Sequence, residues 1–148
     1  MPSRAIVLLS RSHKLRSLRP GAIDGRAFFK RNHFTAGLER LVRLGFDRLA
    51  GRGEDGAFYL TQAMGGGKTH SLIAFGLLAA DPELRREVVP KLASGKDFGS
   101  AKVVIFNGHQ NPDTLLWGYI ADRLGRGEVM APFWKNGARR AGGGDHPR

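Results

Sequence analysis

The sequence contains no cysteine, few acidic residues and no long apolar run. Without cysteine the chain of 148 residues has neither disulfides nor thiolate metal sites, and it suits a reducing compartment. The longest apolar run, Leu72 to Ala80, is interrupted by Gly76 and is much shorter than a membrane span. We therefore expect a cytoplasmic protein with no membrane partner, and the length allows one domain of ordinary size.

Acidic residues are scarce and unevenly distributed. The chain has 24 Lys and Arg against 13 Asp and Glu, which gives a net charge of +11. Residues 1–56 contain 12 basic and 5 acidic residues, and residues 126–148 contain 5 basic and 2 acidic residues. Residues 57–125 are nearly neutral, with 7 basic and 6 acidic residues. Basic flanks attract nucleic acid through its phosphates, but short charged ends are also commonly just solvated. DNA is thus one candidate partner, through the flanks alone.

The first 25 residues contain no acid before Asp24 and carry five basic residues, Arg4, Arg11, Lys14, Arg16 and Arg19. The apolar stretch Ala5 to Leu9 is too short for a secretory signal, although an Arg- and Ser-rich start can mimic a mitochondrial transit peptide. We interpret residues 1–25 as a flexible basic lead-in that closes with the turn at Pro20 and Gly21.

The most informative stretch lies in the middle of the chain. Residues 57–61 (AFYLT) have the character of a short strand, residues 62–67 (QAMGGG) form a glycine-rich loop, and Lys68 opens an apolar helix that reaches Ala80. This order of strand, loop and helix is what a phosphate-binding P-loop requires. The alternative is a glycine-rich turn that merely joins a strand to a helix. A P-loop also has a glycine where this chain has Gln62, which implies a different entry to the loop or weaker binding.

Each residue of this motif has a chemical role in the P-loop interpretation. Consecutive glycines let backbone N–H groups converge on an anion, and the start of the following helix adds partial positive charge. Lys68 would reach the β- and γ-phosphates of ATP, and the Thr69 hydroxyl would bind Mg²⁺. The predicted binding residues are Gly65, Gly66, Gly67, Lys68, Thr69 and His70. His70 has the weakest claim, because a lone histidine on a first helical turn is typical of a surface or packing residue.

Helical periodicity predicts a cover for the sheet ahead of the P-loop. Apolar residues recur at helical spacing from Leu38 to Leu49, with Thr35 placed to cap the helix and Gly51 placed to end it. Glu39 and Arg43 form a favourable pair four residues apart on this helix.

The second half of the chain continues the alternation of helices and strands. Asp81-Pro82 stops the P-loop helix, and Glu83 to Val89 fit one or two further turns before Pro90. Residues 102–106 (KVVIF) resemble a buried parallel strand, after which Asn107 and His109 either approach the phosphates or cap the loop. A helix is predicted from Asn111-Pro112 to Gly125, with Leu116, Tyr119, Ile120 and Leu124 on one side and Trp117 adding bulk. Residues 126–148 show no packing pattern and form a loose tail.

Four segments together resemble a large P-loop ATPase family, a domain-of-unknown-function group related to the AAA+ ATPases. They are residues 32–35 (NHFT), 58–70 (FYLTQAMGGGKTH), 77–84 (LLAADPEL) and 114–118 (TLLWG). Members of that family occur beside DNA-modification and phage-resistance genes, including the BREX-type defence systems. The resemblance covers residues 26–125, and in that family the first P-loop glycine is typically replaced, as it is here by Gln62.

The resemblance implies a partial P-loop NTPase fold, a three-layer α/β/α arrangement with parallel strands, and a nucleotide-binding domain over residues 26–125. It also implies ATPase activity, but no apolar strand in this chain ends in the acidic Walker B residues on which hydrolysis depends. No catalytic residue can therefore be assigned. Family members are many times longer, so we expect an incomplete fold with strand edges in need of partners. The partners implied are the nucleotide and either the rest of a split ATPase or other defence-system subunits. The alternatives are a basic nucleic-acid-binding or adaptor module with a vestigial P-loop, and a non-functional truncated remnant.

Overall fold

A computed structural model describes residues 4–9, 22–61, 67–106, 115–129 and 131–132. Within these ranges the chain forms both strands and helices, and several consecutive helices separate the first strand from the second. The elements in chain order are β1 (Ala5–Leu9), α1 (Gly25–Lys30), α2 (Ala36–Leu49), α3 (Lys68–Ala80), α4 (Pro82–Val88), α5 (Pro90–Ala93), β2 (Lys102–Phe106) and α6 (Leu116–Arg123).

The sheet consists of β1 and β2, which run parallel and pair in register from Ala5 opposite Lys102 to Leu9 opposite Phe106. The amide of Lys102 also donates to the carbonyl of Arg4 at 2.8 Å, so the pairing begins just before β1. Both strands are rich in Val, Ile and Leu, as expected of parallel strands that are covered on their faces. The protein is thus a mixed α/β molecule with parallel strands.

Helices lie on both faces of this small sheet. Alternate residues of the two strands, among them Leu8 and Ile105, belong to the core that the sheet shares with α2 and α3. On the opposite face the ring of Phe106 meets Tyr119 of α6 edge to face, with the ring centroids 5.3 Å apart. Consecutive side chains of a strand point to opposite faces of the sheet, so consecutive residues contact helices on different faces.

The core is made mainly by α2 and α3. Its largest fully buried side chains are those of Phe46, Leu78 and Val42, and Phe75 packs near Phe46 with a centroid distance of 6.3 Å. Gly45 lets the two helices come close, because a Cβ atom at that position would fall on the Phe75 ring. The apolar face that periodicity predicts on α2 is therefore the face buried against α3.

Several predicted helix ends are confirmed. The Thr35 hydroxyl accepts the Leu38 amide at 3.2 Å, and Gly51 follows the end of α2 with a φ of 77°. The carboxylate of Asp81 accepts the amides of Glu83 and Leu84 at 2.9 and 3.0 Å, so it caps α4 just where α3 stops. These caps satisfy amide groups that have no partner inside their own helix.

Three predictions about elements are wrong. Residues 57–61 are not a strand, although Phe58 and Leu60 pack against the core and the residues between them are exposed. The alternation of partly buried and exposed residues is thus present there without a strand. The segment 1–25, which we interpreted as a flexible lead-in, contains strand β1, and β1 pairs with β2. Helix α6 begins at Leu116 after an extended Leu115, later than predicted. Asn111 and Pro112, the predicted start, lie outside the described residues.

None of the helices in the described ranges is both long enough and apolar enough to cross a membrane.

Candidate functional site

The predicted phosphate-binding residues lie at the start of α3. Gly65 and Gly66 fall outside the described residues, and so do Asn107 and His109. Gly67 is described and adopts a left-handed conformation, with φ of 74° and ψ of 15°, immediately before the first helical residue, Lys68. Residues with a Cβ atom rarely adopt this conformation, so the last glycine of the run has a structural reason to be glycine.

The N-terminus of α3 has the properties of an anion site. The first helical bond is made by the amide of Ser71 to the carbonyl of Gly67 at 2.8 Å, so the amides of Lys68, Thr69 and His70 precede it. Among the described residues no side chain caps this end, and the first turn contains no acid. Such an end concentrates partial positive charge, to which the Lys68 ammonium adds a full charge.

The side chains of Lys68, Thr69 and His70 are all half-buried. The His70 ring stacks on Phe28 of α1, with centroids 4.7 Å apart and planes 19° apart. The His70 ring therefore has an aromatic partner on α1. This contact also places α1 beside the start of α3, a neighbour that the sequence did not reveal.

The opposite end of α3 is fixed by four hydrogen-bonded carbonyls. The carbonyl of Leu77 accepts the amide of Asp81 at 3.1 Å, and the carbonyl of Leu78 accepts the guanidinium of Arg85 at 3.1 Å. The carbonyl of Ala79 accepts the amide of Ala101 at 3.0 Å, and that of Ala80 accepts the hydroxyl of Ser100 at 2.5 Å. Helix ends normally leave these four carbonyls without intrahelical partners. Because Ala101 directly precedes β2, its bond holds the end of α3 to the sheet.

Arg85 is the central residue of this junction. It is only 3% exposed, and its second amino group donates to the carbonyl of Gly99 at 2.9 Å. The guanidinium lies 3.7 Å from the centre of the Phe98 ring, which is cation–π distance. Burial lowers the pKa of Arg85, and the charge of neighbouring Arg86 lowers it further. Sequence reasoning missed this residue, because one arginine in a short, strongly charged helix carries no signal of burial.

The family model described as the DUF499 N-terminal domain matches residues 20–98, more than half of the chain. The chain belongs to the DUF499 N-terminal domain family. The matched residues run from just before α1 through α5, so they include the whole of α3 and its glycine loop. No curated protein and no solved structure matches the chain.

The first turn of α3 in this DUF499 domain contains no acidic residue. The described part of the chain contains no cluster of three or more His, Asp or Glu side chains that could hold a metal ion. Of the described residues at the start of α3, Thr69 offers a hydroxyl that would ligate a Mg²⁺ ion beside oxygen atoms from phosphate and water. Mg²⁺ commonly binds in this way, with few protein ligands.

Proposed function

We propose that the DUF499 domain binds a nucleoside triphosphate, ATP, together with Mg²⁺ at the start of α3. The single observation that carries this proposal is the left-handed Gly67 directly before Lys68, at the end of a glycine run. Gly65, Gly66 and Gly67 provide backbone amides, Lys68 binds the β- and γ-phosphates, and the hydroxyl of Thr69 binds Mg²⁺. His70 completes the first turn and contributes its amide.

The residues present suit this ligand. A triphosphate is strongly anionic. A first turn without acidic residues, at a helix end that no described side chain caps, offers both hydrogen-bond donors and positive potential. Bound Mg²⁺ supplies charge neutralisation between the β- and γ-phosphates. Because the far end of α3 is hydrogen-bonded to Arg85, Ser100 and Ala101, the amides at its start are held in place before a ligand arrives.

The proposal concerns binding rather than hydrolysis. P-loop hydrolysis relies on a carboxylate near the end of a strand, and in this chain Asn107 follows β2. We propose that the domain is the nucleotide-binding N-terminal portion of a phage-defence-type ATPase with a partial P-loop NTPase fold. Its partners would then be the remaining part of that ATPase or other defence subunits. This assignment is supported by the resemblance of residues 58–70 and by the helices on both faces of a parallel sheet.

Replacing Lys68 by alanine tests the site. Loss of a charged partner of the phosphates costs about 2 to 5 kcal/mol, so the Kd for Mg-ATP should rise roughly 30-fold or more. Isothermal titration calorimetry measures the affinity, and circular dichroism should show unchanged secondary structure. Lys91→Ala, which removes an exposed lysine of α5, is the matched control and should bind ATP normally. Equal ATP affinity in the Lys68 and Lys91 variants would refute the assignment.

A nucleic-acid-binding function is the second candidate, and the concentration of basic residues in the flanks favours it. Phosphate contacts by basic residues give an affinity that falls steeply with salt concentration. A salt titration of DNA binding in the presence and absence of ATP separates the two functions. Steep salt dependence with indifference to ATP, combined with no nucleotide binding, would support the second candidate.

A further inference from the structure

The aromatic pair formed by Phe28 and His70 lies at the start of the proposed nucleotide site. The two rings are nearly parallel and stacked, and both residues are only partly buried. His70 belongs to the first turn of α3 and follows Lys68 by two residues. At a rise of about 1.5 Å per residue, the pair is only a few ångströms along the helix axis from the lysine.

Helix α1 holds Phe28 in a fixed position. The carboxylate of Asp24 caps the helix by accepting the amide of Ala27 at 3.1 Å, and the Asn32 side chain donates to the carbonyl of Phe28 at 2.6 Å. On the other side of the helix, Arg26 pairs with Glu87 of α4 at 2.7 Å. The face of α1 that carries Phe28 is therefore left to contact the start of α3.

Fixed aromatic rings are common partners of nucleic acid bases. Every base has a flat π face, and stacking on an aromatic side chain contributes to binding without reading the edge of the base. A ring that is already held by a second ring loses little conformational freedom when a base stacks on it. Core packing alone does not require His70 to be partly exposed beside an anion-binding helix end.

We propose that the aromatic pair is the base-binding part of the nucleotide site and stacks on a purine base. The inference rests on the proposed function, because it assumes that the phosphates are bound at Lys68. The pair then distinguishes a nucleotide from an inorganic polyphosphate of the same charge. Lys68 binds the phosphates of both the nucleotide and the polyphosphate, whereas Phe28 and His70 contact only the nucleotide, through its base.

The test compares Mg-ATP with magnesium tripolyphosphate by calorimetry on the full chain. The native protein should bind ATP more tightly than tripolyphosphate. His70→Ala removes the ring but keeps the backbone amide that is proposed to contact phosphate. It should therefore weaken ATP binding roughly tenfold, in the range found for removal of a stacking side chain, and leave the Kd for tripolyphosphate unchanged. His70→Phe keeps a stacking ring and should restore the preference for ATP. Phe28→Leu should resemble His70→Ala.

Phe29→Leu is the matched control. Phe29 is next to Phe28 in α1 and contacts it edge to face at 5.1 Å, but it belongs to the cluster with Phe34. This variant should keep the preference for ATP. Equal weakening of both ligands by His70→Ala, or no weakening of ATP binding in any variant, would overturn the inference and leave the pair as a packing contact. Lys68→Ala reports separately on the proposed function, since it should weaken both ligands.

Discussion

Arg85 is the clearest case in which the position of one residue decides local structure. A buried guanidinium is costly unless its N–H groups are bonded, and here the acceptors are backbone carbonyls of Leu78, Ala79 and Gly99. The first two belong to the last turn of α3, which carries partial negative charge. The buried charge of Arg85 is therefore stabilised by the C-terminal end of a helix instead of by a carboxylate. Its hydrogen bonds also join α3 to the segment that leads into β2.

Arg85→Met tests this role. Methionine nearly matches the arginine side chain in volume but leaves the carbonyls of Leu78 and Gly99 without this donor, so we expect a loss of about 3 kcal/mol in the free energy of unfolding. Urea denaturation followed by circular dichroism measures it. Arg86→Met is the control, because Arg86 is exposed and should change stability by less than about 0.5 kcal/mol. Similar losses in the two variants would contradict the structural role of Arg85.

At the scale of elements, the sequence predicted best where one signal was strong and local. The apolar spacing of α2, with Thr35 as its cap and Gly51 after its end, predicted both ends of that helix to within about one residue. The start of α3 at Lys68 and the extent of β2 were also predicted correctly. Each of these elements carries its own evidence in its periodicity, its caps or its β-branched residues.

Strand pairing could not be predicted in the same way, since it depends on residues that are distant in sequence. Residues 57–61 have a strand pattern but form no strand, whereas Ala5 to Leu9 do form one because β2 lies beside them almost a hundred residues later. The same limit applies to the site. The glycine run and Lys68 were visible in the sequence, but the contact between His70 and Phe28 depends on how α1 packs.

Two adjacent residues of β1 test which face of this strand is buried. Leu8 is 4% exposed and belongs to the core, whereas Val7 is 38% exposed on the other face. We expect Leu8→Ala to cost about 3 kcal/mol of unfolding free energy, as large-to-small changes in cores do, and Val7→Ala to cost less than about 1 kcal/mol. Urea denaturation of both variants measures the difference. A larger cost for Val7 would show that the register or the face assignment of β1 is wrong.

At the scale of the whole molecule, α3 connects the proposed site to the core and the sheet. Its first turn carries the proposed phosphate ligands, its middle packs Phe75 and Leu78 in the core, and its last carbonyls bond to the segment before β2. A ligand that binds the start of α3 only in the folded chain must therefore stabilise all of these parts together. Binding and global stability are linked by mass action.

This linkage predicts a rise in the unfolding free energy when Mg-ATP is added. At a concentration about 100 times the Kd the gain is about 2.7 kcal/mol, since the unfolded chain lacks the assembled site. Thermal or urea denaturation with increasing Mg-ATP measures it. Lys68→Ala should lose this response, measured against the stability of the same variant without ligand, because Lys68 is the proposed phosphate-binding residue at the start of α3. An ATP response of the same size in that variant would mean that the nucleotide binds elsewhere on the molecule.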